Sequence, residues 1–181
     1  MKICISILRG INVSGKRVIR MEMLRDLFAE QGFSDITTYI QSGNVIFRSS
    51  ENDTEKISKG ISGLILERTG HSVPVITLGK DELREIIRSN PYADDPDKFP
   101  DFMHLTFLTG LPSEEAVRKT LSFSYPPDQF CFAGRVVYLY CPGGYGKTVL
   151  NNSFFEKNLK LTATTRNWKT GRELLRIAES L

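Results

Sequence analysis

Ile3-Cys4-Ile5-Ser6-Ile7-Leu8 is apolar on both faces, and Arg9-Gly10-Ile11-Asn12-Val13-Ser14-Gly15-Lys16 follows it directly. A short run with apolar residues at alternate and intervening positions reads as a central strand covered on both sides. The next segment is rich in turn formers. Met21, Leu24, Leu27 and Phe28 then recur at helical spacing, and Gln31-Gly32 ends that helix. Ile36 to Gln41 and Val45 to Arg48 read as two short strands. They are joined by Ser42-Gly43-Asn44, where Gly and Asn tolerate positive φ. Ile57, Ile61, Leu64 and Ile65 mark a second helix that stops near Gly70, and Val73 to Leu78 is a fourth strand. The order is β-α-β-β-α-β.

The same order recurs further on. Leu83, Ile86 and Ile87 mark a linking helix that ends before Pro91. The acidic, proline-rich segment 91–101 cannot be regular structure and serves as a linker. Phe102 to Leu108 is a strand, and Ser113-Glu114-Glu115 opens a helix through Leu121. Gln129 to Phe132 and Val136 to Cys141 are strands around the turn Ala133-Gly134-Arg135. A glycine-rich loop leads to a helix around Asn152 to Leu159, a weak last strand covers Leu161 to Thr164, and a final helix spans Arg166 to Leu181. The expected fold is therefore α+β, with two tandem ferredoxin-like (βαββαβ) units, a linking helix and a C-terminal helix. Residues 1–79 form the first unit, 80–101 the linking helix and linker, and 102–181 the second unit with the last helix. Such folds host many functions, so the fold alone assigns none.

Composition narrows the class. Of 181 residues, 40% are hydrophobic and 25% charged, as in an ordinary globular protein. No apolar run approaches the ~20 residues of a membrane helix, and the N-terminal strand lacks a signal-peptide cleavage site. The expectation is a cytoplasmic protein without a membrane partner. Cys4, Cys131 and Cys141 are odd in number, lack CxxC spacing and lie in strand-like stretches, so they read as buried thiols. The net charge of +3 conceals segregation. Residues 1–21 hold five basic residues and no acid, residues 135–181 hold eight basic and three acidic, and the span between holds eleven basic and eighteen acidic. Should the two basic ends meet, they would make a face that attracts anions.

Four motifs carry chemistry. At the first strand exit, Arg9, Asn12 and Lys16 with the backbone of Gly10 and Gly15 could surround an anion, although the same residues also build tight turns. Gln41, Ser42 and Asn44 put amides and a hydroxyl at one hairpin, placed by this reading at the sheet end opposite the Arg9 loop. Pro142-Gly143-Gly144-Tyr145-Gly146-Lys147-Thr148 follows a strand and precedes a helix, as a phosphate loop does. Its first glycine would have to fall at Cys141, so it is at most a weak anion site around Gly146 and Lys147. Arg166 and Asn167 open the last helix as further ligand-binding candidates, ahead of Trp168, the only tryptophan, which reads as core. His71 and His104 show no metal-ligand spacing, and no GxSxG, HExxH or GxGxxG occurs.

Leu8 to Lys16, Tyr39-Ile40-Gln41-Ser42-Gly43-Asn44-Val45-Ile46-Phe47 and Thr165-Arg166-Asn167-Trp168-Lys169-Thr170 stand in an order that resembles the bacterial family known as domain of unknown function 1697. The resemblance implies a two-part α/β protein with ferredoxin-like units and no assigned activity or catalytic residue. The chain departs from that pattern at Ser14, where Gly is common, and at Gly171, where Val is common. Gly171 should cost the last helix about 1 kcal/mol relative to Ala. The residues favour binding of an anionic ligand, a nucleotide or nucleic acid, with no cofactor and no metal. The alternatives are an enzyme acting on a small phosphorylated or carboxylated substrate, with Arg9, Asn12, Lys16 and Lys147 stabilising charge, and a protein-interaction module.

Overall fold

Strand β1 (Lys2–Leu8) lies between two partners, and this placement organises the first sheet. The computed structural model describes residues 1–181. After β1 come α1 (Met21–Glu30), β2 (Ser34–Tyr39), β3 (Asn44–Ser49), α2 (Thr54–Thr69) and β4 (Val75–Gly79). The strands form an antiparallel sheet in the order β2-β3-β1-β4, with Cys4 opposite Phe47 on one side and Gly79 on the other. Cys4, Leu8, Val45, Phe47 and Val75 share a core with Leu24, Leu27 and Phe28 of α1 and Ile57, Ile61 and Ile65 of α2. The intervening Ile5, Ile7, Ile46 and Leu78 are buried too, as strands covered on both faces require. Inside the first core, the Ser6 and Thr77 hydroxyls bond to each other at 2.8 Å.

α3 (Lys80–Arg88) follows, then β5 (Met103–Leu108), α4 (Glu114–Leu121), β6 (Gln129–Ala133), β7 (Val136–Tyr140), α5 (Asn152–Leu159), β8 (Ala163–Asn167) and α6 (Trp168–Ser180). The second sheet is antiparallel in the order β6-β7-β5-β8, so β5 holds the same central place as β1. Leu108, Val137, Leu139, Phe155 and Ala163 form its core, edged by Phe130 and Phe132. Segment 91–101 is irregular, with a 3-10 turn at Pro100–Phe102. It still packs: Tyr92 is buried, and the Lys98 ammonium sits 5.0 Å from the centre of the Tyr140 ring. The chain divides into two compact units, Met1–Arg84 with Glu173–Leu181, and Glu85–Arg172. No helix is long and apolar enough to cross a membrane.

Helix starts follow cap chemistry. Asp53 accepts from the N–H groups of Glu55 and Lys56, Ser113 from Ala116, and Asn151 from Phe154. At α6, Asn167 Oδ1 accepts from Thr170 N at 2.8 Å, which explains a correction. The last strand is Ala163–Asn167 and the helix begins at Trp168, so Arg166 and Asn167 end a strand instead of opening a helix. Strands β2 and β4 are also displaced by one or two residues from the bounds expected from hydrophobic pattern alone.

Two positions in the second unit yield tests. A Cβ on Gly171 would lie 2.6 Å from Leu105 Cδ1 and 3.4 Å from Ile87 Cδ1, so α6 meets β5 without room for a side chain. Overpacking costs about 1–3 kcal/mol against a helix-propensity gain of about 1 kcal/mol. Urea denaturation should show Gly171→Ala less stable by about 1 kcal/mol and Gly171→Val by about 3 kcal/mol. A more stable Gly171→Ala would show that Leu105 yields freely. His104 is buried, stacks on Tyr145 with ring centres 4.8 Å apart, and has Nδ1 3.3 Å from the Phe102 carbonyl. Burial draws its imidazole below the ordinary 6.5. The unfolded chain then takes up the proton first, so stability is full above the ordinary value and falls as pH drops through it towards the folded value. Thermal midpoints measured across that acid range should fall less steeply for His104→Phe than for wild type. Equal slopes would assign the acid sensitivity to other groups.

Candidate functional site

The β1–α1 loop and the β2–β3 turn meet at one end of the first sheet. This corrects the placement of the Gln41–Asn44 hairpin opposite the Arg9 loop. β1 and β2 each pair antiparallel with β3, so they run parallel to one another and exit at the same end. Two contacts fasten the junction: Leu8 N donates to Gly43 O at 2.8 Å, and Asn12 Nδ2 donates to Gln41 O at 2.8 Å. Arg9 N also donates to Pro74 O at 2.9 Å, just ahead of β4.

Asn12 is the brace. Its Nδ2 also donates to Ile19 O at 2.9 Å, and its Oδ1 accepts from Ile19 N at 2.9 Å. Its backbone is left-handed at φ 54°, as are Gly10, Ser14, Gly15 and Arg17. Asn and Gly adopt that region at little cost, whereas Arg17 holds it under strain. The Arg17 guanidinium lies over Gly10, where an added Cβ would meet Nη1 at 3.4 Å. Asn44 is buried and donates to Tyr39 O and to Ser42 Oγ, both at 3.1 Å. The amides of Asn12 and Asn44 are thus engaged in holding backbone. What the loop offers a ligand is cationic: exposed Lys16, Arg17 and Arg20, with Arg9 half-buried at its root. Arg20 is also the N-cap of α1, and its side chain bonds none of the first-turn N–H groups. These unfilled donors carry the positive end of the helix dipole. Arg17 and Arg20 are not among the candidates singled out from the sequence, although the acid-free run 1–21 contains both.

In the second unit, Gly146 and Lys147 are exposed in a 3-10 turn, Tyr145–Lys147. That turn precedes α5 by several residues, and Asn151 already caps α5, so Lys147 does not sit at a helix start. Arg166 is half-buried and turns back on its own strand, with Nη1 donating to Thr164 Oγ1 at 3.1 Å and to Thr165 O at 3.0 Å. Burial draws its guanidinium down to about 10, so it stays charged at neutral pH. Asn167 caps α6, and Trp168 is buried. Burial pushes all three thiols up, Cys141 to about 11, which suppresses thiolate reactivity. No group of three His, Cys, Asp or Glu side chains could hold a metal ion.

The junction has a sharp test. Gly43 has φ 79°, and a Cβ there would lie 2.7 Å from Ile11 Cδ1 and 2.8 Å from Leu8 Cβ, both in fully buried residues. Left-handed strain and overlap together should cost about 2–4 kcal/mol in Gly43→Ala, read by urea denaturation. A loss under about 0.5 kcal/mol would mean the turn can move away from the loop.

The family model described as "Protein of unknown function (DUF1697)" matches residues 1–138. No curated protein matches the chain. The structure is similar to that of the conserved bacterial protein SP0830 from Streptococcus pneumoniae, with a TM-score of 0.77 and 19% sequence identity, covering 98% of each chain. That likeness concerns fold alone. The Arg9 loop and the Gly43 turn both lie inside the matched span, while the motif at residues 165–170 lies outside it. With its two N-terminal motifs meeting in space and its model match covering most of its length, the chain belongs to the DUF1697 family of proteins of unknown function.

Proposed function

We propose that the β1–α1 loop binds a phosphate-bearing anionic ligand, a nucleotide or nucleic acid, against the N-terminus of α1. The observation that carries this reading is an acid-free loop with Lys16, Arg17 and Arg20 exposed, leading into a helix whose cap residue leaves the first-turn donors unfilled. Backbone N–H groups, dipole and cations act in the same direction on a phosphate and outnumber the one opposing charge, the Glu22 carboxylate of the first turn. Asn12 keeps the loop in shape, so little ordering cost falls on binding. Binding ranks above catalysis because the cations of this loop have no cysteine or histidine beside them in the sequence, while Cys4, Cys141 and His104 are buried. Each unit is read as ferredoxin-like, a reading supported by the repeated element order and by a strand order that is the same in both sheets. The protein is assigned to the cytoplasm, in keeping with its free thiols.

Fluorescence anisotropy with a labelled single-stranded oligonucleotide, and competition by ATP, test the reading. Affinity should fall with salt with a log–log slope of about −0.7 per neutralised phosphate. Lys16→Glu combined with Arg20→Glu should abolish most of the binding. If neither probe binds wild type at low salt, or if the double variant binds equally well, the loop is not an anion site.

A further inference from the structure

We propose that α4 and the outer edge of β6 form a twofold interface with a second copy of this chain. The two units treat their equivalent edges differently. In the first unit, α1 lies on edge strand β2, and Arg25 donates to Thr38 Oγ1 at 2.9 Å. The register of β2 also shifts between Ser34 and Thr37, and Asp35 there has φ 50°. A bulge, a charge and a covering helix are the usual means of blunting an edge against strand addition.

The edge strand of the second unit lacks these devices. β6 reads Gln129-Phe130-Cys131-Phe132-Ala133, without charge or proline, and keeps an unbroken register with β7 along its length. Its other edge has no strand partner. α4 leans on α5, and a groove of about 510 Å³ opens beside Phe132. Leu111, Glu114, Val117, Arg118 and Leu121 line it. Leu111 is 76% exposed and Leu121 51% exposed.

The groove commits to a second copy because its stripe is complementary to itself. Glu114 and Arg118 stand one turn apart on the same face of α4, flanked by Leu121 at the end of the helix and by Leu111 in the segment before it. Set antiparallel about a twofold axis midway between Glu114 and Arg118, Glu114 faces the second copy's Arg118 and Arg118 faces the second copy's Glu114, so the contact is made twice. Neither Glu114 nor Arg118 is engaged in an ion pair within its own chain. Antiparallel pairing of β6 with its symmetry mate obeys the same twofold and continues the sheet across the axis. This surface is independent of the anion-binding loop.

Sedimentation equilibrium of the full chain over a concentration series tests the proposal. Wild type should reach a reversible dimer. Glu114→Arg alone and Arg118→Glu alone each set like charges across the axis and should weaken the dimer about tenfold or more. The double variant, Glu114→Arg with Arg118→Glu, restores opposite charges and should recover association. Circular dichroism confirms that each variant is folded. A wild type that stays monomeric up to its solubility limit overturns the proposal. So does a dimer that both single variants form as well as wild type, or a double variant that dimerises no better than the singles.

Discussion

The closeness of Gly43 to Leu8 and Ile11 is the constraint on which the loop end of the first sheet depends. It brings two backbone segments together with no side chain between them, and Leu8 N reaches Gly43 O because of it. The Asn12 amide then spans from Ile19 to Gln41, so the loop is anchored at its far end and to the neighbouring turn. The cations are thus displayed on a loop whose shape is fixed by the Asn12 amide and by the approach of Gly43. Three left-handed residues that are not glycine, Asn12, Ser14 and Arg17, are tolerated because this web of bonds fixes the loop.

The plan of the molecule was legible where burial is two-sided or a cap is local. Runs such as Ile3–Leu8 and Met103–Leu108 can only be central strands, and both lie in the middle of a sheet. The hairpin was recognised from Ser42-Gly43-Asn44, but its location was misjudged. Periodicity reports which face is buried, whereas the sheet end at which a loop emerges depends on strand direction. The roles of Asn12 and Asn167 were hidden for a related reason: the same amide can meet a ligand or a backbone group, and only the tertiary partner decides. Arg166 illustrates the limit for charge counting. It adds to the basic total of its segment, yet its guanidinium is folded onto Thr164 and Thr165.

Gly171 shows how an apparent local defect can be a packing solution. Propensity alone marks it as a weak point in α6, but the space for its side chain is already occupied by Leu105. A valine here would need a smaller or differently turned neighbour at 105. The two positions therefore form one unit of variation, and a change at either is intelligible only with its partner.

The division of the chain also has a consequence for its birth. The first unit comprises residues 1–84 and 173–181, separated by the whole of the second. During vectorial synthesis at about 5–20 residues per second, roughly 5–20 s pass between completion of the first segment and appearance of the second. In that interval the partners of Arg48 and Arg84, the Leu181 carbonyl and the Glu179 carboxylate, do not yet exist. The nascent first unit waits on the ribosome as an incomplete body, while the second unit emerges whole and uninterrupted. Although the N-terminal residues are made first, the C-terminal half is the first to have all of its own parts.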